Sequence, residues 1–554
     1  MSMRQHCAGL VALLAVATTQ PAQAVPPPTT TTAFRERQQR REAFRNERVR
    51  GAVHGGTAWL LAHQDDDGGW DCDDFGKHDA ADARCDGEGM AVYDIGVTSL
   101  ALLALLAQAE PAHHDACQKA ARWLASAFDG NTGRVRSTWH DFIYEQAMAT
   151  LALAETAELL DDAAARTAAA RGMRYLERHR NPGAAWRYQP RDGDNDTSAT
   201  SWCIAAATAC RSAGIEVAPA DIGQALAWIE TVTDQTTGRS GYSKRDVVSA
   251  RMPGEHSKRF PADRGEATTA AAIHARRLVG LSVPYANRAD YLLLAKPPVA
   301  DPPAIDFYYW LHGSQAFGVL TGSPSAKVWE SALQKVLLGL QQTKGPALGS
   351  WDPTDVWGVS GGRVYATAAN VLALSAPFRC RRLDENFVVP DTPPWRRVHS
   401  IWNDGKYGVA SIETAKVTIA ADDGGNAAVR ARIDWHIAVY VARAERLLAD
   451  LEAAAPDLLA RYELLRALAQ DLAPLPVGAE ATRQLAAIEK EPMLRNEVQA
   501  SRELDRLRDD YDALVTSKNK SKRQQLRKQL EKLVEHFPDT AASVKAIGMI
   551  EQLR

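Results

Sequence analysis

The sequence predicts an all-α protein: a closed ring of about six helix pairs, followed by a smaller helical domain. Three observations predict it. A helix–turn–helix pattern recurs from about His54 at spacings of roughly 45–70 residues, the range in which self-similarity marks a solenoid or a closed array. In most units the first helix carries charge along one side, whereas the second is nearly free of charge all round. A helix apolar on every side must be buried, and one with a single apolar stripe can face water. Their alternation implies an outer layer around an inner one, and closure into a ring satisfies the end repeats without caps.

The first unit runs TAWLLAHQDDDGGW and then YDIGVTSLALLALLA. CQKAARWLASAFDGNTGRV leads to HDFIYEQAMATLALAETAEL in the second, and GMRYLERHRNPGAAWRY leads to DGDNDTSATSWCIAAATAC in the third. The fourth pairs ALAWIETVTDQTTGRSGY with RGEATTAAAIHARRL, and the weaker fifth pairs ADYLLLAKPPV with IDFYYWLHGSQAFGVL. The sixth closes with ALQKVLLGLQQTKGPALGSW and GGRVYATAANVLAL.

The flanks divide the rest of the chain. Residues 1–24 have the three-part order of a secretory signal: Arg4, the apolar run AGLVALLAVA, then small residues ending at Ala24. Export to the periplasm or the extracellular space is the expectation. Residues 25–50 join a Pro/Thr linker to FRERQQRREAFRNERVR, whose mixed charges read as a solvated helix. Residues 51–380 form the ring, 381–400 a proline-containing linker, and 401–554 a helical domain. No later stretch is apolar and long enough to span a bilayer. With 65 Lys+Arg against 68 Asp+Glu, no global field draws the chain to nucleic acid. The basic stretch from Lys518 to Lys528 reads as a solvated loop and helix start. An exported compartment permits disulfides, and Cys72 with Cys85, in one polar loop, are the candidate pair. Cys203 and Cys210 read as small buried residues, and the absence of a CxxC pair excludes a zinc ribbon.

AWLLAHQDDDGGW, with Gln64, Gly68 and Trp70, resembles the QW motif of squalene and oxidosqualene cyclases. LQQTKGPALGSW, with Gln342, Gly349 and Trp351, is a looser match, and the middle units lack the Gln. Such a Gln bonds frayed carbonyls, the glycines permit positive φ, and the Trp wedges neighbouring repeats. The resemblance covers Gly51 to Phe378 and implies the alpha/alpha toroid, an architecture shared with protein prenyltransferases and thioester domains. The tail, through the FPDT step in QLRKQLEKLVEHFPDTAASVKAIGMIEQL, resembles tetratricopeptide-like helix pairs and implies a docking site for a protein partner.

The chemistry that the resemblance implies centres on DGDNDTSAT. Class II terpene cyclases start cyclisation with a proton from a DxDD(T/S)-type motif, which points to Asp194 and Asp196, with Asp192 beside them. Clustered carboxylates cannot all ionise at their free pKa values, so one can serve as an acid. Asn195, however, interrupts the acids. Asp is also a favoured N-cap, and every unit carries a polar group there, so a capping role stands beside the catalytic one. Asp94, His140, Glu145, Glu266 and Asp306 complete a rim of inner-helix starts, with Tyr308 and Tyr365 as candidate cavity lining. Prenyltransferases hold zinc with Asp, Cys and His; here Asp306 and His312 lack a Cys, and no metal or other cofactor is expected. The loop of Asp65, Asp66, Asp67, Asp71, Asp73 and Asp74 lacks EF-hand spacing, and Glu88 stands where a thioester needs Gln. Two functions follow: an exported binding or scaffold protein taking a partner on its tail and an apolar or isoprenoid molecule in its ring, or a proton-initiated terpene cyclase.

Overall fold

A computed structural model describes residues 31–283, 285–380, 392–403, 406–417, 424–453, 458–515 and 519–553. Residues 1–24, expected to be a signal, residues 381–391 of the expected linker, and Lys518 lie outside the described residues. Helix α1 (Thr32–Ala43) precedes α2 (Glu47–Ala62), which is paired with α3 (Asp94–Gln108). The next pairs are α4 (His114–Ser126) with α5 (Ile143–Leu160) and α6 (Ala163–His179) with α7 (Thr197–Ser212). Then α8 (Pro219–Thr231) leads through the short α9 (Glu255–Arg259) to α10 (Ala267–Leu278). The last two pairs are α11 (Ala286–Ala295) with α12 (Phe307–Gly318) and α13 (Pro324–Leu340) with α14 (Gly358–Arg379).

The second members of the pairs pack in the order α3, α5, α7, α10, α12, α14, and α14 returns to α3. The protein is all-α, and its main body is the expected alpha/alpha toroid. Helix α3 is buried continuously from Gly96 to Gln108, as an all-apolar inner helix must be. It is also the one span among the described residues long and apolar enough to cross a membrane, and it lies inside the ring. Outer helix α4 buries only Cys117, Ala120, Ala121 and Leu124, a single stripe.

One hydrogen-bond pattern pins the turn to the inner helix in five of the six units. The backbone N–H of Trp70 donates to Thr98, that of Trp186 to Thr200 and that of Trp351 to Thr367. Units two and four use Gln146, bonded by Val135 N, and Thr269, bonded by Ser240 N. The indoles of Trp70, Trp186 and Trp351 donate to Leu60, Leu176 and Leu337 at 2.8, 2.8 and 2.9 Å. These bonds satisfy carbonyls that a helix end leaves open. Gln64 Nε2 donates to Gly68 O at 2.9 Å and, on the next outer helix, to Ala116 O at 3.0 Å. In the sixth unit that role falls to Gln341, which donates to Gly349 O and Ala52 O, while Gln342 turns to Asp352. The sequence placed it one residue too late. Gly349, at φ +89°, lies where a Cβ would sit 2.4 Å from Gly55 O, so the seam between units six and one requires glycine.

Helix α1 corrects another expectation. Its charges are not all solvated: Phe34 and Arg37 are buried. Arg37 donates to Leu106 O (3.4 Å) and to Glu155 (2.8 Å), and Arg40 donates to Phe378 O (2.9 Å). Leu106 and Phe378 lie near the carboxyl ends of α3 and α14, where helix dipoles favour cations. Thus α1 plugs the carboxyl-end mouth of the ring.

The remaining helices are α15 (Pro393–Asn403), α16 (Tyr407–Lys416), α17 (Gly424–Ala453), α18 (Leu458–Leu472), α19 (Pro476–Lys490), α20 (Pro492–Leu514), α21 (Lys520–His536) and α22 (Ala541–Gln552). Helix α15 begins inside the stretch read as linker. Helix α17 lies along α8: Trp435 Nε1 donates to Val217 O and Tyr440 Oη to Val279 O, each at 2.9 Å. Helices α20 to α22 share a small separate core of Leu504, Leu526, Leu530, Leu533, Ala546 and Ile550.

Candidate functional site

Because all six inner helices run the same way, their starts share one mouth. Asp94 Oδ1 accepts Cys72 N (2.9 Å), and Glu145 Oε1 on α5 accepts Gly96 N on α3 (3.2 Å). Burial pushes Asp94 up to about 6 and Glu145 up to about 7. Glu266 is buried and held by both Arg239 (2.7 Å) and Lys296 (2.8 Å). Asp306 caps α12 through Tyr309 N (2.9 Å) and pairs with Arg251 (2.9 Å). Tyr365 donates to Asp355 at 3.1 Å, a buried carboxyl that the sequence reading missed. His140 is exposed, its ring edge-on to Tyr188.

The DGDNDTSAT acids separate. Asp192 and Asp194 are exposed; Asp192 Oδ1 accepts Asp194 N (2.9 Å), and the Asp194 side chain is 72% exposed beside Arg187. Asn195 faces inward, accepting Ala185 N (2.9 Å) and Asn181 Nδ2 (3.1 Å). That inward turn separates the acids. Asp196 is buried and caps α7 through Ala199 N at 2.7 Å. Its other oxygen accepts Tyr242 Oη (3.3 Å) and lies 3.7 Å from Arg187 Nε. Burial outweighs these partners and pushes Asp196 up to about 7. Tyr242 in turn shares a 2.6 Å hydrogen bond with Tyr188.

Beneath this mouth the bore is filled. Tyr308 Oη on α12 bonds Ser198 Oγ on α7 at 2.5 Å, across α10. Trp202 meets His312 edge-on at 5.2 Å, and Tyr308 meets the same ring at 4.5 Å. Below them, near the end plugged by α1, lies a chamber of about 110 Å³. Arg37, Glu155, Trp202, His274, His312, Gln315 and Arg379 are among its lining residues. Both ring nitrogens of His312, Nδ1 of His274 and Oε1 of Gln315 have no partner in the protein. Burial holds His312 down to about 3 and His274 well below its usual value, so both are neutral at ordinary pH. Glu155 bonds both Arg37 and Arg379. Although burial pushes it up, the two guanidiniums pull it below the usual carboxylate range.

The candidate disulfide is absent: Cys72 and Cys85 are free, buried thiols. Cys72 Sγ turns to Ser360 O at 3.2 Å, at the ring seam, and Cys85 lies with His63 and Asp79. The sequence reading named His312 only as a failed zinc ligand and did not single out His274. Neither stands out from the apolar helix around it.

No protein-family profile matches the sequence, and no curated relative is found. Among solved structures, the apo type II terpene cyclase MstE from Scytonema is 15% identical with a TM-score of 0.41, covering 60% of this chain and 99% of its own. The GH76A alpha-1,6-mannanase from Salegentibacter sp. HEL1_6 is 11% identical with a TM-score of 0.42, covering 59% and 98%. Similarity at this level assigns no chemistry to this chain.

Proposed function

We propose that this is an exported, periplasmic or extracellular binding protein. Its ring holds a small polar molecule in the central chamber, and its helical tail engages a protein partner. The chamber carries the reading. At about 110 Å³ it is well below the roughly 300–1,000 Å³ of sites for drug-sized ligands, and too small for an isoprenoid chain. Its unpartnered His312, His274 and Gln315 atoms call for hydrogen bonds from an occupant. Arg37 and Arg379 share Glu155, and Glu158 also lines the chamber, so two cationic and two acidic side chains balance and the occupant is neutral or zwitterionic, such as a polyol or an amino acid. Met493, Val544 and Ile547 are exposed near the point where Glu497 accepts Ala541 N, and they offer the tail an apolar docking face.

The test is thermal stability across a panel of small polyols and amino acids, with Ala205→Phe as a chamber-filling variant. A bound compound raises the melting temperature of the wild type but not of the variant. No shift across the panel, together with only water in a crystallographic chamber, would overturn the reading.

One observation favours a second reading. Burial pushes Asp196 up to about 7, so it keeps a proton on the acidic side of neutral, and Tyr242, itself bonded to Tyr188, donates to it, as for the acid of a proton-initiated terpene cyclase. Its link to the ring interior is blocked by the Tyr308–Ser198 bridge, which supports the binding role instead.

A further inference from the structure

The loop that follows α2 brings together three side chains of metal-binding type: His63, Asp79 and Cys85. One ligand atom from each lies within 4.8 Å of the others. From their geometry we infer that His63, Asp79 and Cys85 form a site for one zinc ion, which fastens this loop beside the closing seam of the ring.

The orientation of His63 is the decisive feature. Its Nδ1 lies 2.7 Å from Trp59 O, a carbonyl that can only accept, so Nδ1 carries the proton. Nε2 then faces Asp79 Oδ1, 3.2 Å away, a separation that is bridged either by a second ring proton or by a metal ion held between nitrogen and oxygen. A backbone carbonyl bonded to the far nitrogen is the usual support of a metal-bound histidine. Zinc bound tetrahedrally at about 2.0–2.1 Å to nitrogen and oxygen sets their separation at about 3.3 Å. The observed distance matches that edge.

The other donors fit. Asp79 Oδ2 accepts Cys85 N at 2.8 Å, which leaves Oδ1 free for a single metal bond. The same bond ties the backbone of the thiol donor to the carboxylate. Nitrogen, oxygen and thiolate together select zinc over calcium or magnesium. The charges close as well. A 2+ ion with one thiolate, one carboxylate and a neutral imidazole is neutral overall, which suits a site where His63 and Cys85 are buried. Trp59 stacks on His63 at 4.0 Å, and Phe75 meets it edge-on at 6.1 Å, an apolar wall on one side, while the fourth tetrahedral position falls to water. Zinc takes Cys85 as the thiolate, so binding releases one proton.

The location gives the ion a structural task. Downstream in the same loop, Gly87 O accepts Arg363 N and Met90 N donates to Ser360 O, each at 2.8 Å. Arg363 and Ser360 belong to α14, the last inner helix. Fastening the loop therefore secures the joint between the first and last units.

The experiment uses the full exported chain, purified without a polyhistidine tag or chelator. Metal content by mass spectrometry and Co²⁺ titration by absorbance are the readouts. About one zinc per chain, replaceable by Co²⁺ with a thiolate-to-cobalt charge-transfer band, is the expected result. Cys85→Ser removes that band, and His63→Gln lowers bound zinc to roughly a tenth or less. Circular dichroism shows whether each variant is folded; if one is not, the wild-type spectrum and Asp79→Asn decide. A folded wild type that retains no zinc and gives no charge-transfer band overturns the site. So does a Cys72–Cys85 disulfide found in the native protein by peptide mapping.

Discussion

Gln341 donates to the carbonyl of Ala52 at 2.7 Å, joining residues 289 positions apart in sequence. The same amide reaches Gly349 O at 2.8 Å, so one side chain ties the turn of the sixth unit to the outer helix of the first. Its partner by position in the first unit, Gln64, makes the equivalent pair of bonds to Gly68 and Ala116. Gln341→Ala leaves two partly buried carbonyls without a donor and costs about 1–3 kcal/mol. Gln342→Ala loses only a side-chain bond to Asp352 and costs about 1 kcal/mol or less. Urea unfolding of the two variants, side by side, measures the difference.

The tail is attached to the ring by a buried charge. Glu230 on outer helix α8 takes Arg276 at 3.5 Å and Arg443 of α17 at 3.2 Å. Burial pushes Glu230 up, and the two arginines more than reverse it. Arg443→Leu strips one partner and destabilises by about 2–3 kcal/mol, less than the about 3–5 of a pair left with none. Limited proteolysis reads the local effect: cleavage between the ring and α17 accelerates, releasing an intact ring fragment.

Stability falls as pH rises from about 4 through 7. Asp196 and Asp355 are held near 7 and Glu145 also near 7, all above their unfolded values, so the native state binds more protons across that interval. The stability contributed by their protonated forms is complete below the unfolded pKa and lost once the folded pKa is passed. Glu155 and Glu230 act oppositely, losing their contribution as pH falls through their depressed values. The melting temperature therefore peaks at about pH 4–5 and declines toward neutral pH. Asp196→Asn keeps a cap acceptor but cannot ionise, so its stability relative to wild type improves from pH 5 to pH 8, by an amount on the order of a few kcal/mol.

Asp194 behaves as a surface residue. Asp194→Asn changes stability by less than about 0.5 kcal/mol, whereas Asp196→Ala loses the α7 cap and costs about 1–2 kcal/mol. Calorimetric melts of both variants check this contrast.

How much of this was legible in the sequence depends on the kind of signal. The ring was legible because inner helices such as α3 carry no charge after their first residue, Asp94, a pattern that admits only burial. The capping role of Asp196 was legible from residue type and position. Gln341 was misplaced because two glutamines stand together, and only the turn geometry selects between them. Trp186 was legible as the turn tryptophan of a unit that keeps the motif without its glutamine, and its indole makes the same bond as that of Trp70. Helix α1 was misread because buried arginines look identical to solvated ones until the carbonyls and Glu155 that receive them are in place. The chamber depends on His274 and His312 meeting from two helices, a contact with no local signature.

The most direct test of the binding-protein account is incubation of the purified protein with squalene and with prenyl diphosphates, followed by mass-spectrometric analysis of the extracts. The account predicts no cyclised product from either the wild type or Asp196→Asn. A cyclised product formed by the wild type and lost in Asp196→Asn would contradict it.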